Sequence, residues 1–223
     1  MPRGFFKMSL NQKAIVDAIR QAKERSKKGN FTQSVELILN LKDIDMKSSE
    51  GRIQQRIELP HSSPEKPKKI CVIATRGLAL KAKNAKADLV IGKDRLGELA
   101  GKKKDMRRMA NEYDFFLAEA PLMPLVGKTF GPALGPRGKM PVPVPPSGDV
   151  SGMIKRYRKT VSVRMRNQPV IQCRVGTGSM KEEEVAENVQ AVLKALEGRL
   201  KKGIKNVKSV SLKMTMGSPV KVL

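Results

Sequence analysis

The chain has 223 residues, with 45 Lys+Arg against 21 Asp+Glu (a formal net charge of +24), and its 39% hydrophobic content suffices for one large or two small folded domains. One histidine and two distant cysteines cannot supply a zinc site or a catalytic Ser-His or Cys-His pair, and no apolar run is long enough for a secretion signal or membrane span. We therefore expect a cytoplasmic protein with no metal, no cofactor and no catalytic residue, whose excess positive charge faces an anionic partner.

The first part of the chain predicts a helix followed by two half-buried strands. Residues 9–12 (SLNQ) have the form of a helix capping box, and the helix that follows is expected to end near Gly29. Apolar and polar residues then alternate in residues 31–42 and again in residues 53–59, which is typical of strands with one buried face. Residues 60–67 contain three prolines and predict a linker.

The middle of the chain predicts a parallel sheet covered by helices. Short, continuously apolar runs at residues 70–74, 89–91 and 115–118 are separated by stretches compatible with helices. This pattern is typical of parallel strands that are buried on both faces. A stretch rich in proline and glycine follows at residues 131–148, and we expect residues 141–146 within it to form, with the proline-rich linker, a two-strand hinge.

The last part of the chain returns to alternation. Residues 161–166 and 170–175 alternate strictly, and residues 167–169 (NQP) between them predict a turn that joins the two segments into a β-hairpin. Residues 179–182 have capping-box form ahead of a second amphipathic helix, and residues 207–216 predict a final strand. The order of these patterns predicts an α/β fold in which an α+β domain, residues 1–67 plus 159–223, is interrupted by an inserted α/β domain, residues 68–158.

Two glycine-containing motifs in the inserted domain fall short of nucleotide-binding loops. Residues 127–129 (GKT) match the end of a phosphate-binding loop, but Leu122 stands where that loop has its first glycine. The three glycines that follow have the wrong spacing for a dinucleotide motif. We expect residues 131–148 to form a loop, either of tight turns or one that approaches a ligand with Arg137 and Lys139 at its tip.

The strand faces that point away from the predicted core are rich in hydroxyls and arginine. Such a face suits hydrogen bonds to RNA phosphates and 2′-hydroxyls, with an ordinary solvent face as the alternative. Gly217 has no side chain, and we expect RNA to approach the backbone there while the Ser211 and Thr215 hydroxyls bind it. Aromatic residues make up only 4% of the chain and tryptophan is absent, which favours structured RNA over stacked single strands.

Three blocks, in order along nearly the whole chain, resemble the ribosomal protein L1 family, archaeal type: residues 29–37 (GNFTQSVEL), 134–141 (LGPRGKMP) and 215–219 (TMGSP). The resemblance implies a Rossmann-like inserted domain that binds no nucleotide. It implies a structural constituent of the large ribosomal subunit that binds the stalk of large-subunit rRNA and assists release of deacylated tRNA from the exit site. It also implies a repressor of translation that binds its own mRNA, and we expect a monomer when the protein is free.

The positions at which this family contacts RNA carry over to nine residues here. Arg137 and Lys139 are candidate RNA contacts of the second domain. Two other functions remain as alternatives: a general nucleic-acid-binding chaperone, and a nucleotide-dependent enzyme with a basic surface. The nine residues implied by the resemblance are Glu24, Phe31, Ser34, Arg164, Arg166, Ser211, Thr215, Met216 and Gly217.

Overall fold

The computed structural model describes residues 11–27, 29–46, 53–146 and 148–222. In chain order, the helices are α1 (Gln12–Glu24), α2 (Arg76–Asn84), α3 (Lys93–Leu99), α4 (Lys103–Glu112), α5 (Met123–Leu134), α6 (Val150–Arg158) and α7 (Glu182–Glu197). The strands are β1 (Ser34–Leu41), β2 (Gln54–Glu58), β3 (Ile70–Ile73), β4 (Leu89–Ile91), β5 (Phe115–Glu119), β6 (Val142–Val144), β7 (Thr160–Arg164), β8 (Val170–Thr177), β9 (Val207–Met214) and β10 (Val220–Lys221).

The chain divides into two compact units. Unit 1 comprises Met1–Lys66 and Thr160–Leu223, and unit 2 comprises Pro67–Lys159, bounds that differ by one residue at each joint from the expected domains. Unit 1 contains a four-stranded sheet in the order β10-β9-β1-β8 and a two-stranded sheet of β2 and β7, all antiparallel. Unit 2 contains a parallel sheet in the order β4-β3-β5-β6. Helices combined with these sheets confirm the predicted α/β fold class.

The core of unit 1 lies between the four-stranded sheet and the two helices α1 and α7. The apolar row of β1 is buried, as are the apolar stripes of both helices, and these residues form one continuous cluster. Alternation therefore places the opposite face of β1, β8 and β9 away from the core. That outer face carries most of the polar residues of the three strands.

The first helix begins and ends at different residues from those expected. Asn11, the third residue of the expected capping box, caps α1: its side-chain oxygen accepts a hydrogen bond from the Lys13 N–H at 3.3 Å. Ser9 and Leu10 lie outside the described residues. The helix ends at Glu24, well before Gly29, because Ser26 leaves the helix to form a β-bridge with Gly217.

The hairpin expected from residues 161–175 does not form in the described structure. Strand β7 pairs with β2, and β8 pairs with β1. Pro169 lies in the connection, and its carbonyl accepts a hydrogen bond from the Leu41 N–H at 2.7 Å. This bond ties the connection to the end of β1. The chain that follows, β8, therefore pairs with β1 and not with β7.

Unit 2 is a parallel sheet buried on both faces, as predicted. One face packs against α2 and α6, and the other against α3, α4 and α5. The expected hinge joint at residues 141–146 is wrong, since Val142–Val144 form β6 and pair with β5. Pro143 is tolerated there because β6 is an edge strand. A proline lacks the N–H that a central strand would need for hydrogen bonds to both of its neighbours.

Residues 127–129 lie inside a helix and not in a loop. They belong to α5, which extends to Leu134 and so also replaces the start of the loop expected at residues 131–148. The Thr129 hydroxyl donates a hydrogen bond to the Leu125 carbonyl at 2.9 Å, a contact internal to the helix.

Among the described residues, every helix is too short or too polar to span a lipid bilayer.

The capping box expected at residues 179–182 is displaced by two residues. Helix α7 begins at Glu182, and the Lys181 N–H donates a hydrogen bond to Glu184 Oε2 at 3.3 Å. Lys23 Nζ donates a hydrogen bond to Glu182, and this bond, followed by backbone hydrogen bonding, lowers the pKa of the Glu182 carboxyl. The ion pair joins α1 to the start of α7.

A buried amide of α7 fixes the proline-rich linker. Asn188 is fully buried; its Oδ1 accepts a hydrogen bond from the His61 N–H at 2.9 Å, and its Nδ2 donates to the His61 carbonyl at 3.0 Å. The same Nδ2 donates to the Val175 carbonyl at 2.8 Å, so one side chain joins the linker to β8. His61 also contacts Glu187 through its ring, with 2.7 Å between Nε2 and Oε2.

Replacing Asn188 by alanine is expected to destabilise unit 1. The Asn188→Ala variant leaves polar backbone groups without partners beside a buried cavity, and we expect a loss of about 2–4 kcal/mol in the free energy of unfolding. Urea denaturation followed by circular dichroism measures it. Gln190→Ala on the same helix is the control, with an expected change within about 0.5 kcal/mol. Equal stabilities for the two variants would contradict the assigned role of Asn188.

Candidate nucleic-acid interface

The outer face of the four-stranded sheet is a polar surface with both charges and hydroxyls. Glu36 of β1 lies directly opposite Lys213 of β9 and Arg174 of β8, so an acidic residue separates two cations across the strands. Two strand positions further on, Ser211 of β9 lies opposite Ile38 of β1. We call this surface the polar face; its residues are Ser34, Glu36, Asn40, Gln172, Arg174, Ser209, Ser211 and Lys213.

Ser34, the first residue of β1, and Thr215, the residue after β9, close one end of this sheet. The Thr215 N–H donates a hydrogen bond to the Ser34 carbonyl at 3.1 Å, and the Ser34 N–H donates to Thr215 Oγ1 at 3.0 Å. The Thr215 hydroxyl was expected to bind RNA. In the structure it accepts a hydrogen bond from its own chain, which gives Thr215 a structural role as well.

A buried glutamine holds the segment that follows. Gln33 is only 8% exposed, and its Oε1 accepts a hydrogen bond from the Met216 N–H at 3.0 Å. Its Nε2 donates to the Lys27 carbonyl at 2.6 Å, while its own carbonyl accepts from the Gly178 N–H at 2.8 Å. Gln33 is not among the residues expected at the site, although the sequence holds a signal for it: it is a polar residue in the otherwise apolar row of the first predicted strand.

Gly217 allows a close approach within the protein itself. A Cβ added at Gly217 would lie 3.3 Å from both Met214 Cβ and Ser26 Cβ, closer than side chains ordinarily pack. Because Gly217 has no side chain, Ser26, which follows α1, comes close enough to form the β-bridge with it. Close contact within the protein is thus a second reason for glycine here, beside the expected approach of RNA.

Two large apolar side chains are exposed at this end of the sheet. Phe31 is 50% exposed and Met216 is 61% exposed. Lys66, from the linker, places its Nζ 5.6 Å from the centre of the Phe31 ring and 3.5 Å from Ser34 Oγ. Arg174 Nη2 donates a hydrogen bond to the Lys66 carbonyl at 2.8 Å, which fixes the linker beside the polar face. Nothing in the sequence pattern singled out Lys66 or Arg174.

The structure brings together five of the nine residues implied by the resemblance. We call their location the clamped end, formed by Ser26, Phe31, Gln33, Ser34 and residues 215–217. Of the remaining four, Glu24 is exposed at the end of α1, two residues before Ser26. Ser211 lies on the polar face, roughly 13 Å along β9 from Thr215 by strand rise.

The two arginines of the expected hairpin lie elsewhere in unit 1. Arg164 ends β7, which pairs with β2 and not with the four-stranded sheet. Arg166 is exposed in the connection whose Pro169 is bonded to Leu41, at the opposite end of β1 from Ser34. These two residues are therefore not part of the clamped end.

In unit 2, Arg137 and Lys139 are bonded to the region where α4 ends. Lys139 Nζ donates hydrogen bonds to the carbonyls of Ala110 and Tyr113 at 2.8 and 2.7 Å, and burial lowers the pKa of its ammonium group. Arg137 Nε donates to Asn111 Oδ1 at 2.9 Å. Both cations stabilise the C-terminal end of a helix, where positive charge is favourable.

Within the described ranges, His, Cys, Asp and Glu side chains form no group that could hold a metal ion.

A Cβ at position 217 is expected to strain the clamped end. Gly217→Ala forces either Ser26 or Met214 to move, and we expect a loss of about 1–3 kcal/mol in the free energy of unfolding. Gly198→Ala, in the same unit, is the matched control because a Cβ there would meet only the Ala195 carbonyl at 3.9 Å. Urea denaturation of both variants checks this, and a fully stable Gly217→Ala protein would contradict the close contact with Ser26.

Comparison with known proteins identifies relatives along almost the whole chain. Residues 19–218 match the ribosomal protein L1p/L10e family. The large ribosomal subunit protein uL1 of Methanothermobacter thermautotrophicus is 47% identical over 212 residues, covering 95% of this chain and 100% of that protein. Those of Pyrococcus abyssi and Hyperthermus butylicus are 45% and 44% identical, covering 97% and 95% of this chain and 98% and 96% of their own. The chain therefore belongs to the ribosomal protein L1p/L10e family and is of the archaeal type.

Proposed function

We propose that the protein is a constituent of the large ribosomal subunit and binds the stalk region of large-subunit rRNA through the clamped end and the adjoining polar face. The relatives support the first part, because each is named as a large ribosomal subunit protein. Such a constituent works in the cytoplasm, on the ribosome. The protein is not an enzyme, since the family to which it belongs consists of structural ribosomal proteins.

One observation carries the assignment of the RNA site: the clamped end is rigidly held yet exposes apolar side chains. The Gln33 side chain bonds the Met216 N–H and the Lys27 carbonyl, and the Thr215 hydroxyl accepts from the Ser34 N–H, so these backbone groups have partners within the protein. Exposed Phe31 and Met216 then lose water when a base or sugar covers them. A surface with fixed shape and little charge suits selection of a structured RNA, because phosphate contacts alone carry no sequence information.

We also propose, on the family resemblance, that the protein assists release of deacylated tRNA from the exit site and represses translation by binding its own mRNA. The second activity needs no further surface. An element of the messenger that folds like the rRNA stalk would contact the same clamped end. Both RNAs would then compete for one site, which is the arrangement that lets free protein repress its own synthesis.

The exposed methionine of the clamped end provides a direct test. Met216→Ala is expected to weaken binding to a stalk rRNA fragment about five- to thirtyfold, the equivalent of losing about 1–2 kcal/mol of apolar burial. The free energy of unfolding should stay unchanged, because the side chain is 61% exposed. Leu80→Ala on α2, where the side chain is 63% exposed, is the matched control and should bind as the wild type does. Filter binding at fixed salt concentration measures both variants.

A competition titration separates this function from that of a general nucleic-acid chaperone. The net charge of +24 by itself favours such a chaperone, because non-specific binding is driven by phosphate neutralisation. Under the proposed function, unrelated duplex RNA and duplex DNA compete poorly with the stalk fragment. Equal competition by all three, together with unchanged binding of Met216→Ala, would contradict the proposal.

A further inference from the structure

A strongly basic loop joins α7 to β9, at the other end of the sheet from the clamped end. Residues 199–208 contain five lysine or arginine residues and no acidic residue. Strand β9 runs from Val207 to Met214 before the chain reaches Thr215, so the loop and the clamped end are roughly 24 Å apart by strand rise. None of the nine residues implied by the family resemblance lies in this loop.

The loop is held in a fixed geometry by a buried amide. Asn206 is 2% exposed; its Oδ1 accepts a hydrogen bond from the Lys202 N–H at 2.8 Å, and its Nδ2 donates to the Lys42 carbonyl at 2.9 Å. The Lys42 N–H donates in turn to the Asn206 carbonyl at 2.7 Å. Lys202 Nζ lies 3.4 Å from Asp43 Oδ2, which neutralises one of the cations. The others are presented on an ordered support and not on a flexible tail.

A β-bulge turns one lysine of this region out of the core. The ladder between β9 and β1 shifts by one residue between Asn40 and Leu41, and Lys208 is the extra residue. Strict alternation back from buried Val210 would place Lys208 on the core face. With the bulge, Lys208 is exposed and Val207 packs against the core in its place. The fold thus presents a cation at a position where an unbroken strand would bury it.

We propose that Lys205 and Lys208 bind the phosphate backbone of an RNA duplex, as a second contact at the far end of the polar face. Both lysines are exposed, and within the described residues neither forms an ion pair. Residues 199–208 contain no aromatic residue, so contact with the backbone is favoured over stacking on bases. The inference rests on the proposed function, because it assumes that the RNA bound at the clamped end extends along the sheet. Polar residues of β9 connect the loop to Thr215 along this path: Ser209, Ser211 and Lys213.

The dependence of RNA affinity on salt tests the proposal. The double variant Lys205→Gln/Lys208→Gln is titrated with a stalk rRNA fragment of Methanothermobacter thermautotrophicus and with an unrelated RNA duplex of equal length, between about 0.1 and 1 M salt. Losing two phosphate contacts lowers the slope of log affinity against log salt by about 1.4–1.8. Binding is then about 25- to 60-fold weaker than wild type at about 0.1 M and converges with it near about 1 M.

A matched control removes the same amount of charge elsewhere in unit 1. Lys13→Gln/Lys194→Gln alters two lysines of α1 and α7, the helices on the core side of the sheet, and should leave the slope unchanged. A thermal melt of both double variants checks that the fold is intact. If the control lowers the slope as much, net charge and not this loop is responsible, and the proposal is overturned.

The two RNAs separate this inference from the proposed function. Phosphate contacts are independent of sequence, so the Lys205→Gln/Lys208→Gln slope falls for both RNAs even if the wild type shows no preference for the stalk fragment. Absence of that preference would count against the proposed function alone. An unchanged slope for both RNAs, with Met216→Ala still weakened, would overturn this inference alone and leave the basic loop as a surface for an acidic protein.

Discussion

The pairing of β1 with β8 and β9 is the constraint on which unit 1 depends. Strand β1 comes from the beginning of the chain, whereas both of its neighbours come from the part that follows unit 2. Its apolar row closes the core against α1 and α7, and its polar row forms the middle of the outer face. Neither the core nor the polar face exists until the chain has returned from unit 2, so the fold of this unit and its candidate RNA site form together.

Three buried amides fix the loops that surround this sheet. Gln33 holds the residues after β9, Asn188 holds the linker, and Asn206 holds the basic loop. Each side chain both donates and accepts, which lets it replace backbone partners on segments that are distant in the sequence. A buried polar group that lacks a partner is costly, so each amide specifies one arrangement of its loop and disfavours the others.

Charge and selectivity are divided between different parts of the surface. Cations surround the sheet at Lys66, Arg174 and the basic loop, where they can attract RNA and neutralise phosphates. The clamped end itself contributes backbone, hydroxyl and apolar groups. This arrangement explains why the net charge of +24 does not reveal where the site lies. Cations spread over the surface attract RNA, whereas recognition of its shape requires a small and nearly uncharged surface such as the clamped end.

Periodicity in the sequence determined which segments are helices and strands and which of their faces are buried, because both depend on the spacing of apolar residues along a few turns or strand positions. The apolar row of β1, the stripe of α7 and the runs of β3 and β5 were all predictable in this way. The sequence also determined the family, through motifs that the comparisons support. Only the tertiary structure decided which strands pair, since β7 joins β2 and the tie from Pro169 to Leu41 cannot be read from local spacing. It likewise decided that Gly217 makes room for Ser26 and that Gln33 and Thr215 bond their own chain, because each of these roles depends on a partner that is distant in the sequence.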